Sequence, residues 1–237
     1  MNHPTAAEIV AELSSLGSES YKRVLMKHGA REPFFGVKIE DLKKIQKRIK
    51  TNHELALALY DTGISDAMYL AGLIVDDRRM TKQDLHRWLQ GASWSMIAEY
   101  TVPWVAAGSK HGRDLALEWI DARDEGVATA GWFTLSNLVG TRPDQELDLA
   151  ELKKLLARVG KSIHSQPNRV RYAMNGFVIA TGCSVLPLHE VAIQTAKKIG
   201  PVEVDMVGAC QVPFAPDYIE KVKARGAIGK KRKSAKC

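Results

Sequence analysis

Apolar residues recur at helical spacing along almost the whole chain, and this periodicity restricts the fold more than any other feature. Ala6, Ile9 and Leu13 form one such stripe, as on an amphipathic helix. Thr81 and Asp84 precede another stripe and match a helix capping box. The same periodicity marks segments 93–107, 112–121, 127–140, 148–159, 168–181, 187–199 and 216–225. Because no alternating strand pattern interrupts it, we predict an all-α protein.

Short segments that contain glycine or proline separate the predicted helices, for example at Gly63, Gly108 and Pro143. Helices joined by such short turns pack as antiparallel pairs. The pairs recur about every 35–40 residues, which is near the spacing of HEAT-type repeats. We therefore predict a curved superhelical stack of HEAT-like antiparallel helix pairs, although an ordinary helical bundle would show similar periodicity. Residues 1–228 would form a single repeat domain, and residues 229–237 a flexible basic tail.

The net charge of +7 is distributed unevenly. Residues 221–237 contain eight basic and no acidic residues, so residues 1–220 have a net charge of −1. A tail of this kind can bind phosphates through salt-sensitive contacts. It is equally typical of a solvated chain end. Charge alone leaves both interpretations open.

Other bulk features exclude several classes of protein. No apolar run reaches the ~20 residues that span a bilayer. The N-terminal residues also lack the basic and apolar regions of a signal peptide. We therefore expect a cytoplasmic protein with no membrane partner.

The cysteines and histidines show no metal-binding pattern. Cys183, Cys210 and Cys237 form no C-x-x-C pair, and the seven histidines form no His-x-x-x-His pair. We expect neither a metal nor another cofactor, and we interpret Cys183 and Cys210 as buried thiols. The alternative is a metal site built from Cys183, Cys210 and His189, which would lack the fourth ligand of a structural zinc site.

Four segments resemble AlkD-type DNA alkylation repair proteins in their order and spacing. They are PFFGVKIEDLKKIQKRI (33–49), LALYDTGISDAMYLAGLIVDD (57–77), SWSMIAEYTVPWV (93–105) and RYAMNGFVIAT (171–181). The resemblance covers roughly residues 20–185. It implies HEAT-like repeats whose concave face holds double-stranded DNA, alkylated or not. It also implies the activity of removing N3- and N7-alkylated purines.

The resemblance assigns catalytic roles to individual residues. Glu99 falls where the family has a catalytic aspartate, and it would stabilise an oxocarbenium-like sugar in the transition state. Trp94 and Phe177 would contact the damaged nucleotide. Ala130 occupies the place of the family's phosphate-binding arginine, and its helix contains no basic residue. The alternatives are core packing for Trp94 and a solvated helix carboxylate for Glu99.

Basic residues in two segments are candidates for phosphate binding. Lys43 and Lys47 lie on the predicted helix 39–49, and Arg169 and Arg171 lie near a helix start. A row of cations on a repeat protein can follow the phosphates of DNA. The alternative is a solvated face with pairs within the helix, for example between Glu40 and Lys43 or Lys44.

Three functions remain open after this reasoning. The first is a DNA-binding protein related to alkylpurine DNA glycosylases. Because the family's arginine is missing, this function leaves open whether the protein is an enzyme. The second is a non-catalytic binder of DNA structure, which the missing arginine and the basic tail favour. The third is a HEAT-like scaffold for a protein partner, which the nearly neutral body favours.

Overall fold

The computed structural model describes residues 4–206 and 211–236, and within these residues all regular structure is helical, with no strand. The all-α prediction is therefore confirmed. Contacts cluster the chain into two compact units, whereas the sequence prediction treated residues 1–228 as one domain. Unit 1 comprises residues 1–110 with 236–237, and unit 2 comprises residues 111–235.

Unit 1 contains seven α-helices in its described residues. They are α1 (Ala6–Leu16), α2 (Glu19–Lys27), α3 (Ile39–Ile49), α4 (His53–Tyr60), α5 (Ser65–Ile74), α6 (Lys82–Gly91) and α7 (Val102–Gly108). A 3-10 turn covers Asp77–Arg79, and a π-helical segment covers Met96–Thr101. Thr81 caps α6 in the predicted capping box with Asp84.

Helix α5 forms the centre of unit 1. All ten of its residues are buried, and it packs against α1, α3, α4, α7 and the π-helical segment. A helix that is apolar on every side requires such neighbours, because it has no face to offer water. Only four residues connect α4 to α5, so these two helices form a hairpin, as a HEAT-like pair does.

Unit 2 contains six α-helices in its described residues. They are α8 (Gly112–Trp119), α9 (Glu125–Thr141), α10 (Leu149–Ser162), α11 (Asn168–Ser184), α12 (His189–Ile199) and α13 (Ala215–Ala224). Further 3-10 turns cover Asp144–Glu146, Ile163–Ser165 and Leu186–Leu188. The pairs α8/α9 and α11/α12 are again joined by short connections and pack together.

The core of unit 2 is the contact between α9 and α11. Trp132 and Phe177 meet there with ring centroids 5.3 Å apart. Gly131 allows α9 to approach the end of α8, since a Cβ at this position would lie 2.7 Å from the backbone nitrogen of Ile120. By length and composition, no single described helix could cross a membrane; α11 with residues Leu186–Ile199 passes that test only as a pair bent by 116°.

The basic segment after α13 contacts the helices, although the sequence predicted a flexible tail from residue 229. In unit 2, the Lys231 ammonium donates to the carbonyl of Val139 at 2.8 Å and forms an ion pair with Asp144 at 2.7 Å. The Arg232 backbone N–H donates to the carbonyl of Gly140 at 2.9 Å. These carbonyls belong to the last turn of α9, where no intrahelical donor remains, and so the tail caps this helix.

A second cap of the same kind lies in unit 1. The Lys236 ammonium donates to the carbonyl of Val75, the residue after α5, at 2.8 Å. It also forms an ion pair with Asp77 at 2.8 Å. Burial raises the pKa of Asp77, and the ammonium of Lys236 partly offsets that rise. Tail lysines therefore serve two helix ends in the fold.

Candidate functional site

The segment that resembles the family's catalytic motif is a π-helix. Met96–Thr101 runs directly into α7, and the N–H of Val102 donates to the carbonyl of Ile97, five residues earlier. Pro103 has no N–H to donate to the carbonyl of Glu99, so the normal α-helical bond is missing at this point. Single π-helical turns inside α-helices occur often at functional sites.

Glu99 lies in this segment and is buried, with 4% of its surface exposed. The alternative of a solvated helix carboxylate is therefore wrong. Gly72 of α5 makes room for the segment, because a Cβ there would collide with the side chain of Thr101. A substrate would reach the Glu99 carboxylate only if this packing opened.

Trp94 is half-buried beside a cleft of about 360 Å³, a volume that includes open solvent. The side chains around the cleft are mostly aromatic or aliphatic and include Tyr21, Leu25, Phe34, Tyr69 and Met96. The indole Nε1 of Trp94 is buried and has no hydrogen-bond partner in the described part of the chain. Two fully buried core tryptophans among the described residues have the same unpaired Nε1. The cleft therefore offers an apolar surface with one unused N–H.

The wall of the cleft between α2 and α3 is held by Asp66 of α5. Its carboxylate accepts hydrogen bonds from the backbone N–H of Phe35 at 2.5 Å and of Val37 at 2.8 Å. Ser65 lies within 3.1 Å of Ser93, hydroxyl to hydroxyl. Asp66 was not among the predicted site residues, because its role depends on a loop about thirty residues earlier in the chain.

Phe177 differs from its predicted role. Its side chain has no exposed surface and packs on Trp132 in the core of unit 2, so it stabilises the fold instead of facing a nucleotide. Ala130, at the place of the missing arginine, is also fully buried. Of the predicted catalytic group, the structure places Trp94 and Glu99 in unit 1 and Phe177 in unit 2.

The cations of α3 divide into two groups. Lys44 forms an ion pair with Asp41 at 2.8 Å, and Arg48 forms one with Glu12 of α1 at 2.5 Å. Lys43 and Lys47 have no ion pair with any residue of the described ranges. The predicted pairing within the helix thus applies to Lys44, while Lys43 and Lys47 keep their charges available to a ligand.

The region around α3 is more basic than the sequence reasoning recognised. Residues 22–50 contain ten basic and three acidic residues, a net charge of +7, which equals that of the whole chain. The tail residues 221–237 had seemed to account for the whole excess. Counting charge along the chain in shorter windows would have revealed this second basic region.

Arg169 and Arg171 lie in the first turn of α11 and already have contacts. The Arg169 guanidinium lies over the ring of Tyr172, 4.7 Å from its centroid, and contacts the sulfur of Met206 at 3.3 Å. Arg171 donates to the side-chain oxygen of Asn168 at 3.3 Å and is half-buried. Its Nε is buried and has no hydrogen-bond partner among the described residues.

No group of three or more metal-binding side chains comes together within residues 4–206 and 211–236. Cys183 is a half-buried thiol, and burial raises its pKa to about 11. Cys237 lies outside the described residues. So do Cys210 and the three residues before it, which belong to the segment VDMVGACQVP (204–213).

Comparison with known proteins places this chain in a class of helical-repeat proteins related to DNA glycosylases. The model of the family described as DNA alkylation repair enzyme matches residues 9–202. The chain therefore belongs to the DNA alkylation repair family.

Individual relatives match over nearly the full length. The chain is 32% identical over 228 residues to the uncharacterised protein Lin0241 of Listeria innocua, covering 93% of this chain and 98% of that protein. It is 31% identical, with the same coverage, to the uncharacterised protein Lmo0209 of Listeria monocytogenes. One solved structure, with a TM-score of 0.91 and 38% identity, covers 99% of this chain and is matched over 100% of its own length. It is described as a new family of proteins related to the HEAT-like repeat DNA glycosylases with affinity for branched DNA structures.

Proposed function

We propose that this protein binds branched DNA and does not excise bases. The main support is the solved relative with affinity for branched DNA, which is 38% identical and aligns with 99% of this chain. The TM-score of 0.91 means that the two chains share their backbone fold. Within this proposal, phosphate is bound by cations that have no ion pair in the described part of the chain.

Lys43 and Lys47 are the first phosphate ligands in this proposal. They stand one helical turn apart on α3 and have no ion pair in the described ranges. Lysines that neutralise phosphates release counterions from DNA, so their contribution weakens as salt is added. Arg169 and Arg171 would add contacts from unit 2, at the cost of rearranging their present partners.

The test measures fluorescence anisotropy with a labelled four-way junction and a labelled linear duplex of the same arm sequence. We expect tighter binding to the junction. The variant Lys43→Ala/Lys47→Ala should weaken binding and lower the salt slope, d log K/d log[salt], by about 1 for each lysine removed. The matched control is Lys153→Ala/Lys154→Ala, which removes the same charge from exposed lysines of α10 that have no ion pair with any described residue.

Any of three results would contradict the proposal. Equal affinity for the junction and the duplex would remove the preference for branched DNA. An equal loss in both lysine variants would show that total charge, and not the α3 surface, governs binding. Absence of any DNA affinity at low salt would favour the third function, a scaffold for a protein partner.

Base excision is the second candidate, and one observation favours it. Glu99 retains a carboxylate at the family's catalytic position, inside a π-helical turn. A carboxylate beside the sugar would stabilise the positive charge that develops as the glycosidic bond of an alkylated purine breaks. The burial of Glu99 and of Phe177, and the apolar Ala130, argue against this activity.

A further inference from the structure

Helix α13 has an exposed stripe of two aromatic residues and two cations. Phe214, Tyr218, Lys221 and Arg225 follow one another at intervals of four, three and four residues, which places them on one helical face. Phe214 is 42% exposed and Tyr218 is 48% exposed. Large aromatic side chains in such positions often mark a binding surface. The family model ends at residue 202 and so does not include this helix.

The opposite face of α13 is anchored to the core of unit 2. Ile219 is fully buried, and its Cδ1 lies 2.7 Å from where a Cβ on Gly182 of α11 would be. The side-chain amide of Asn175, also on α11, donates to the carbonyl of Pro213 at 2.9 Å, just before the helix begins. The aromatic stripe therefore stands on a fixed helix and is not needed to hold that helix in place.

The two cations of the stripe, Lys221 and Arg225, have no partners within the described ranges. Lys223 on another side of α13, and Lys230 and Lys233 in the tail, likewise have none there. Lys231 differs from its neighbour Lys230, because its charge is used by Asp144 and Val139. The two acids of the helix, Asp217 and Glu220, lie off the line of the stripe. The stripe itself is thus positively charged as well as aromatic.

We infer that the stripe on α13 binds unpaired bases and the adjoining phosphates of single-stranded DNA at a branch point. This inference rests on the proposed function and names the DNA feature recognised. Exposed aromatic rings stack on bases without regard to sequence, and neighbouring cations bind the backbone. Bases inside a fully paired duplex are hidden in the stack, so the stripe would favour DNA whose strands separate. A second copy of the same face is disfavoured, because it would bring like charges together.

The experiment compares a forked duplex with two oligo-dT single-stranded arms and a four-way junction in which every base is paired. Wild type is measured beside Phe214→Ala/Tyr218→Ala, with thermal melting to confirm that both fold. We expect the aromatic variant to lose about tenfold or more in affinity for the fork, because stacking contacts contribute that much. Its affinity for the fully paired junction should stay within about twofold of wild type, since no stacked base is involved.

Two controls separate stacking from other effects. Tyr218→Phe keeps the aromatic face and should bind the fork like wild type. Leu186→Ala removes an exposed apolar side chain of unit 2 that has no aromatic face, and it should also leave fork affinity unchanged. A 2-aminopurine in one arm of the fork provides a direct measure, because its fluorescence falls when the base stacks on a ring. We expect quenching with wild type and Tyr218→Phe, and its loss with the double variant.

The outcomes distinguish this inference from the proposed function. If wild type prefers the junction to the duplex, and the aromatic variant binds the fork as tightly as wild type does, the stripe assignment is overturned. The proposed function then stands. If wild type binds the fork through the stripe but shows no preference for the junction over duplex, the stripe is supported and the proposed function fails. If wild type is a dimer that the aromatic variant converts to a monomer, the stripe is a self-association surface and the inference is wrong.

Discussion

Lys230 and Lys231 are adjacent residues with the same charge and different surroundings. Lys231 donates to the carbonyl of Val139 and pairs with Asp144, whereas Lys230 is exposed and has no described partner. We expect Lys231→Ala to lower the free energy of unfolding by about 1–2 kcal/mol, because a charge-assisted bond to a helix carbonyl is lost. Lys230→Ala should change it by less than about 0.5 kcal/mol. Urea denaturation of both variants measures the difference; equal changes would show that the cap does not contribute.

Glu99 determines whether the second candidate function survives. We expect no release of 7-methylguanine from a methylated duplex above the spontaneous rate. The reason is that Glu99 is only 4% exposed and that Phe177, the predicted nucleotide contact, is buried in the core. The measurement compares wild type with Glu99→Gln. Excision by wild type that disappears in Glu99→Gln would overturn the proposal of a non-catalytic binder and establish a glycosylase.

Individual side chains were the least predictable part of the site. The resemblance identified which residues occupy the family's positions, yet exposure depends on packing by residues distant in sequence. Phe177 is buried because Trp132, 45 positions earlier, packs against it. Similarly, no pattern within α3 reveals that Arg48 is paired with Glu12 while Lys47 is not. The sequence therefore predicted which residues occupy the family's positions, but it did not predict whether their side chains are exposed or already paired.

At the scale of elements, helices that bury an apolar stripe were predicted, and one helix that buries no residue was missed. None of the nine residues of α2 is buried, and two of its apolar side chains, Val24 and Met26, are exposed. Tyr21, Val24 and Leu25 do stand at helical spacing, but the stripe extends over only nine residues, and the cap at Ser18 marks the start of the helix. The π-helical turn was also missed, although Pro103 indicates that the α-helical bonding is interrupted there.

We expect substitution of glycine by alanine to have opposite effects at two positions in the longest helices. A Cβ on Gly131 of α9 would lie 2.7 Å from the Ile120 backbone, whereas a Cβ on Gly176 of α11 would meet nothing within 4 Å. We expect Gly131→Ala to destabilise the protein by roughly 1–3 kcal/mol through overpacking. Gly176→Ala should stabilise it by roughly 0.5–1 kcal/mol, because alanine favours the helix. Chemical denaturation checks both; destabilisation by Gly176→Ala would show that α11 needs a glycine for another reason.

For the whole molecule, the location of charge matters more than its sum. Residues 22–50 have a net charge of +7 and residues 221–237 one of +8, so the remaining residues together have a net charge of −8. A protein with this pattern presents cations in two defined regions of the chain and an acidic remainder. A sum over the tail alone accounts for the whole net charge of the chain and so conceals the basic region at residues 22–50.

Removing residues 230–236 should affect both stability and DNA binding. The deletion takes away the caps made by Lys231, Arg232 and Lys236, and each kcal/mol lost lowers the melting temperature of a chain of this size by roughly 2–4 °C. The matched variant Lys230→Ala/Lys233→Ala should weaken DNA binding at unchanged melting temperature. Equal melting temperatures of the deletion variant and the wild type would contradict the structural role of the tail.

The caps on α5 and α9 have a consequence for how the protein is made. Lys236 lies 161 residues after the Val75 carbonyl that it caps, and Lys231 lies 92 residues after that of Val139. At a synthesis rate of roughly 5–20 residues per second, the end of α5 is synthesised roughly 8–30 s before its lysine. During that interval its last carbonyls depend on water. Nascent chains stopped before residue 231 would therefore have both helix ends without their lysine caps.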